Sequence, residues 1–318
     1  MIKASLHRQT QTVQTDTRRQ DRWGRFWEQS APYVFISPFF IGFVAFQLFP
    51  ILFSTYLSVA EWNPYVHDGS GLTYVGLQHF QNLFQDDRFL HGLRVTAIIT
   101  VTCTVVGTSL SVVLAVLLDK VPERLSMILR AFFFMPAVTS VVVITYIWKQ
   151  LLNTRYGYLN ALLDSVGIEP QNWLGDANTA LIALMIMLIW AGLGWDSLII
   201  MSGLRSIPEE LYDAAKIDGA NGFQEFWHVT LPMLRPVLVF VLTTGFIYLL
   251  GLFAPVQLLT NGNPFHRTET AALYLYEQAF NYQEFGYASA IAVTLTLIMF
   301  VVSFLNYRFF GRDLEYTS

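Results

Sequence analysis

Long apolar runs broken by short polar stretches set the pattern of this chain. Six runs reach the ~20 residues needed to cross ~30 Å of hydrocarbon: roughly 33–59, 90–118, 128–148, 179–204, 237–259 and 288–310. Few charges interrupt them, and Arg94, near the start of the second, can snorkel to an interface. The pattern predicts an all-α membrane protein with six transmembrane helices and both termini on one side. Pro38, Pro50, Pro136 and Pro255 predict kinks, tolerable where neighbouring groups re-satisfy the freed carbonyls. The expected divisions are a polar tail at 1–32, the first span and its loop at 33–89, a transmembrane core at 90–310 and a short tail at 311–318.

The polar stretch 207–236 stands apart, set between two apolar runs. Ser206 with Glu209 gives a capping-box pattern, with Pro208 in the first turn. Leu211, Ala214, Ala215 and Asp218 share a helical face that ends at Gly219. Asn221 and Gln224 repeat the cap pattern, and a second short helix runs towards Pro232. The chain therefore holds a helical hairpin in water between two spans. An ordinary loop with two capped helices is the plainer reading of it.

Asp213-Ala214-Ala215, Gly219, then Val229, Leu231 and Pro232 follow the spacing E-A-A, three residues, G, nine residues, I-x-L-P. This resembles the EAA loop of bacterial ABC importer permeases, with Asp213 in place of Glu and Val229 in place of Ile. Segments 75–94, 134–160 and 258–290 resemble carbohydrate-importer permeases, of the kind represented by the sugar-holding membrane subunit of the maltose transporter and by glycerol-3-phosphate and oligosaccharide permeases. The likeness covers about 33–312, although LTNGNP has Asn263 where Gly is usual. It implies a type I ABC importer permease fold, in which the hairpin couples to a separate ATPase.

Composition agrees: 54% of the residues are hydrophobic and 13% charged, against about 25% charged in soluble domains. The net charge of −4 averages membrane and aqueous regions and adds little. The placement of basic residues says more. Lys3, Arg8, Arg18, Arg19, Arg22, Arg25, Lys120, Arg124, Arg130, Arg205, Lys216, Arg235, Arg308 and Arg312 fall on one set of segments. Only Arg88, Arg94, Lys149, Arg155 and Arg267 fall on the other. Both termini and the hairpin are thus expected in the cytoplasm, where ATP is, with the protein in a bacterial or archaeal cytoplasmic membrane. Trp23, Phe26 and Trp27 beside Arg22 and Arg25 fit an interfacial helix, or equally a disordered tail ending in an aromatic belt. The basic tail is too long, and the following run too extended, for a cleaved signal peptide.

Catalytic constellations are absent from the sequence. There is no G-x-x-x-x-G-K-[ST] phosphate loop. His7, His67, His79, His91, His228 and His266 show no metal-ligand spacing, and His228 reads as a surface residue. Cys103, the one cysteine, reads as core packing. Asp86 and Asp87 read as a solvated loop edge. No basic face interleaved with aromatics suggests nucleic acid. The reading is no enzyme and no cofactor on this chain, with ATP and Mg²⁺ on the partner ATPase.

Transport directs attention to polar residues at membrane depth. Asp196 lies about eight residues, ~12 Å, before the hairpin end of the fourth span. An intramembrane carboxylate faces a wet cavity or a partner; a structural ion pair or hydrogen bond is the competing role. Carboxylates accept from sugar hydroxyls and aromatic rings stack on C–H faces. Gly192, Trp195 and Asp196 lie near one helical face, with Trp190 and Trp195 equally readable as packing. The resemblance implies that Ala137, Thr139 and Val141, with Tyr248, Gly251 and Leu252, complete a sugar pathway. It also implies a second permease, two ATPase subunits and an extracytoplasmic solute-binding protein, which Arg267, Glu269 and Tyr156 are candidates to touch. A polyol or glycerol phosphate is the alternative solute, although within the spans no Lys or Arg is visible beyond the span ends to take a phosphate. A secondary transporter is the rival class, but internal repeats are not visible.

Overall fold

The computed structural model describes residues 30–62 and 71–310. The aromatic motif of the N-terminal tail and the tail 311–318 lie outside the described residues. The described residues fall into two compact units, one ending at Tyr56 and the other starting at Leu57.

Helix α1, Ser30–Leu57, carries the first apolar run. It widens into a π turn at Val44–Leu48, immediately before Phe49 and Pro50. Pro50 brings no N–H and pushes against the carbonyl four residues back, and a local π turn is one way a helix absorbs that.

In the second unit, strands β1 (Ala60–Trp62) and β2 (Leu72–Tyr74) form an antiparallel pair, with Glu61 opposite Thr73. A short helix α2, Gln78–Leu83, follows. Helix α3, Asp87–Lys120, is the longest element. Asp86 caps it, accepting from the backbone N–H of Arg88 at 2.9 Å and of Phe89 at 3.2 Å. Helices α4 (Glu123–Val138) and α5 (Val141–Leu151) follow, then α6 (Tyr158–Ser165) and α7 (Ala180–Leu204). The hairpin comprises α8 (Glu209–Ile217) and α9 (Gly222–Met233). Then come α10 (Arg235–Leu250), α11 (Ala254–Leu259), α12 (Ala271–Tyr276) and α13 (Phe285–Phe310).

Among the described residues, four helices, α1, α3, α7 and α13, are long and apolar enough to span a membrane, and two bent pairs raise the number to six if each pair is one span. The kink expected at Pro136 is a sharp break in the third span. Helices α4 and α5 meet at a bend of 101°. Pro136 leaves the carbonyl of Phe132 without its helical donor. Thr139 then turns extended at φ −90°, ψ 141°, and its hydroxyl donates back to Met135 O at 2.8 Å. The fifth span is shorter than its apolar run as well. Helix α10 stops at Leu250 and α11 starts afresh around Pro255, which sits in the first turn where no N–H is needed. The α9–α10 pair bends by 66° at Leu234, just before Arg235-Pro236.

Helices α3 and α7 form the spine of the second unit. Cys103 Sγ donates to Met185 O at 3.8 Å and Ser111 Oγ to Leu193 O at 3.4 Å. Gly107 faces Ile189 between them, so the same offset of 82 residues holds over two turns. At the hairpin end that offset recurs where Arg205 reaches Glu123 at 3.2 Å, beside a bond to Asp119 at 3.3 Å. Small residues admit the other helices, as membrane bundles require. A Cβ on Gly194 would stand 1.9 Å from Phe133 O, so α4 crosses α7 there with no room to spare. A Cβ on Gly203 would meet Val237 at 2.7 Å, and one on Gly286 would meet Ala60 O at 2.4 Å. Asn306 Nδ2 ties α13 to α10 through Thr243 Oγ1 at 2.6 Å.

Candidate functional site

The tight crossing at Gly194 sets the first wall of a cavity within the bundle. It brings Phe134 over Trp195, ring centroids 5.9 Å apart and 19° from parallel. The bend after Pro136 then turns the chain away and leaves a void. The cavity measures about 450 Å³, and α3, α4, α5, α7 and α10 all contribute to it. Ala137, Thr139, Val141, Gly192, Trp195, Asp196 and Tyr248 line it together, as the sequence suggested. Nothing lies within 4 Å of a Cβ built on Gly192, so that glycine leaves open space. Trp195 is 54% exposed, whereas Trp190 packs against Trp148 at 5.7 Å.

Gly251 and Leu252 do not line the cavity, which corrects their expected role. Leu252 is buried in the core with Val256 and Leu273, because α10 ends at Leu250 and the chain turns inwards. A Cβ on Gly251 would face Met299 at 3.4 Å.

Asp196 is half-buried and makes no ion pair or hydrogen bond through its carboxylate with any described residue. The structural ion pair considered for it is therefore not formed among the described residues. Sequence reasoning missed Thr104 and Thr108 of α3, which share the cavity wall. Their signal was present: Thr96, Thr100, Thr104 and Thr108 recur every four residues and are all buried on one face of α3. The hydroxyls of Thr100 and Thr104 have no hydrogen-bond partner among the described residues. No lysine or arginine lines the cavity.

The hairpin forms the second candidate site. Its expected first cap is corrected: Ser206 Oγ donates to Gly203 O at 2.7 Å, and Pro208, extended at ψ 134°, occupies the N-cap without a side-chain bond. The chain is still leaving α7 at Ser206, so its hydroxyl caps the earlier helix. The rest follows the sequence. Gly219 takes φ +80°, with its N–H on Lys216 O at 3.0 Å and Ala220 N–H on Ala215 O at 2.9 Å, a Schellman closure. Asn221 and Gln224 form a full capping box. Asp213 pairs with Lys216 at 3.1 Å, and Ala214 is exposed beside the half-buried Ala215. Ile217 is 86% and Phe223 73% exposed at the tip. Val229, Leu231 and Pro232 fall in the π turn and the helix after it, steadied by Tyr212 Oη against Thr230 Oγ1 at 3.0 Å. His228 is exposed, with Nδ1 3.0 Å from Gln224 O of its own helix.

Two expectations at the opposite end are overturned. Asp86 is no solvated loop edge: the hydroxyls of Tyr274 and Tyr287 both donate to its Oδ2 at 2.6 Å. Burial alone would raise its carboxyl pKa, but these two donors and two backbone amides outweigh that and hold it below the ordinary carboxylate range. Glu269 is 1% exposed and cannot touch a partner. It takes a forked contact from Arg88 and one from His266 Nδ1 at 3.1 Å, while Arg88 also reaches Glu277 and lies over the Tyr274 ring. Long-range pairing of this kind leaves no periodic trace in sequence.

A helical membrane protein with a mid-depth cavity and a capped polar hairpin at one end is the architecture of an importer permease. The chain belongs to the family of binding-protein-dependent transport system inner membrane components, which residues 104–313 match. It is thus a membrane component of a transport system and not an enzyme. The probable ABC transporter permease protein YurN of Bacillus subtilis is 32% identical over 89% of this chain and 97% of its own length. The arabinooligosaccharides transport system permease protein AraP of the same species is 32% identical over 89% and 90% respectively. Among solved structures, a chain of a bacterial ABC transporter importing the acidic polysaccharide alginate superposes with a TM-score of 0.80. That match has 20% identity and covers 92% of this chain and 99% of that one, a likeness of fold.

Proposed function

We propose that this chain is the membrane-spanning permease subunit of an ABC importer for a neutral sugar. The observation that carries this is Asp196, a carboxylate with no partner among the described residues, in a cavity of about 450 Å³ lined by Trp195, Tyr248 and threonine hydroxyls. Such a set offers acceptors to hydroxyls and flat apolar faces to C–H groups. A lining without lysine or arginine disfavours a phosphate ester. The name of AraP, which refers to arabinooligosaccharides, supports a sugar as cargo.

The hairpin faces the cytoplasm in this reading, where the basic segments gather, and its small residues enter a cleft on a separate ATPase. ATP and Mg²⁺ act on that partner. One chain carries one hairpin, so a second permease supplies the other for an ATPase pair. A solute-binding protein loads the opposite face. ATP binding biases a two-state bundle through the hairpins, and the cavity opens to one side or the other.

The test is uptake of a panel of labelled neutral oligosaccharides into proteoliposomes holding the full transporter. Asp196→Asn retains one acceptor oxygen, whereas Asp196→Leu leaves the solute's donors unpaired. A lost hydrogen bond to a charged group costs about 1.5–3 kcal/mol, or roughly 10- to 100-fold in affinity at the transmembrane site. The expected order is wild type, Asn, Leu, at unchanged membrane abundance. Undiminished uptake by the Leu variant would remove Asp196 from the pathway.

A further inference from the structure

A second cavity, of about 430 Å³, lies at the end of the bundle away from the hairpin. Glu61 of β1, Gln78, His79 and Asn82 of α2, and Glu284 and Tyr287 around the start of α13 are among its walls. Its chemistry is unlike that of the mid-depth cavity, with carboxylates and amides in place of aliphatic carbon. Glu61 and Glu284 are exposed, and neither carboxylate is paired with any described residue. No lysine or arginine is among the walls, and the nearby Arg88 is already committed to Glu269 and Glu277. Residues 63–70, which join the two strands, contain no lysine or arginine either. The Nε2 of His79 is shut off from solvent without a hydrogen-bond partner among the described residues. The frame is firm: β1 presses on Gly286, and Tyr287 is anchored to Asp86.

A preformed polar cavity with two free carboxylates and no cation suits a donor-rich positive group. An ammonium offers three donors and a guanidinium five. We propose that this cavity is the socket for a lysine or arginine side chain of the solute-binding protein. The inference rests on the orientation and the binding-protein partner proposed above. Exposed carboxylates at the mouth also fit the part that rim charges play in docking, steering the encounter and fixing the register. Occupancy would lie one residue from Gly286 and directly on Tyr287, hence next to the cap of α3.

A photo-crosslinking residue placed at Gln78 of the full transporter complex tests this, with the solute-binding protein that stimulates its ATPase as probe. Tyr156, exposed on a different loop, serves as the comparison position. The expected adduct at Gln78 joins a binding-protein peptide that contains a lysine or arginine. The double variant Glu61→Gln, Glu284→Gln should weaken binding of that protein about three- to tenfold and flatten its salt dependence. An adduct with the second permease, or unchanged affinity in the double variant, overturns the socket. Adducts at Tyr156 alone also overturn it while leaving the binding-protein reading intact. Adducts at neither position, in a complex that binds no such protein, overturn both.

Discussion

Asp86 shows how one side chain can hold three elements at once. It caps α3 and takes the hydroxyls of Tyr274 and Tyr287, which belong to α12 and α13. Asp86→Asn would replace one acceptor oxygen with a donor facing these hydroxyls, at a cost of about 1–3 kcal/mol. Thermal unfolding of the purified protein should show the loss. The pH dependence has a definite sign. Because the folded carboxyl titrates below its unfolded value of ~3.9, its contribution is complete above that value and disappears as pH falls through the lower folded one. The stability difference between wild type and Asn variant should therefore close on acidification and stay constant towards neutral pH. Asp86 and Glu269 were also where the sequence was least informative. The partners that overturned their reading, Arg88 for Glu269 and the two tyrosines for Asp86, lie about 180 or more residues away, whereas Asp196 was legible because a carboxylate inside an apolar run is conspicuous without any knowledge of its neighbours.

At the scale of the element, the hairpin owes its shape to local rules and was legible almost entirely. Gly219 takes a left-handed φ, and nothing crowds its Cβ position. The constraint there is conformational, so Gly219→Val should strain the turn itself. Ala215→Trp should add bulk to the face argued to approach the ATPase. Both variants should insert normally, and ATPase activity of the reconstituted complex should lose its stimulation by loaded binding protein. Retained stimulation in both would detach the hairpin from coupling. The first cap was misread because Ser206 had two helices to choose between, and Pro208 favours an extended start. The breaks at Thr139 and Gly251 were underestimated for a related reason. Hydropathy continues through both, and only the missing proline N–H hints that the helix does not.

For the whole molecule, the count and order of apolar segments were plain from the sequence, and their packing partners were not. Orientation, inferred from basic residues, is open to direct test. Single cysteines placed in 71–86 and 152–178 of a Cys103→Ala background should react with an impermeant maleimide added outside. Those placed in 208–230 should react only once the inner face is opened. A cysteine at Lys216 that reacts from outside would reverse the topology and withdraw the ATPase from the hairpin. Glycines carry the packing that sequence could not reveal, since Gly194 and Gly192 are alike in composition yet opposite in use. The first admits a backbone and the second faces a void. Gly194→Leu should therefore destabilise the bundle severely, while Gly192→Leu should fill the cavity and block uptake in a folded protein. Membrane abundance and uptake, measured together, separate the two.

The constant offset between α3 and α7 bears on where the chain can be cut. Because the two helices meet along a shared edge, half of the contact comes from before the 152–179 connection and half from after it. The covalent link is then a tether and not the source of their register. Gly167 sits in that connection with nothing within 4 Å of its Cβ position, a natural place for a nick. Two separately made fragments, ending and beginning there, should find each other in a bilayer and restore uptake. Splitting instead within α3, near Gly107, would sever the edge itself, and no such reunion is expected.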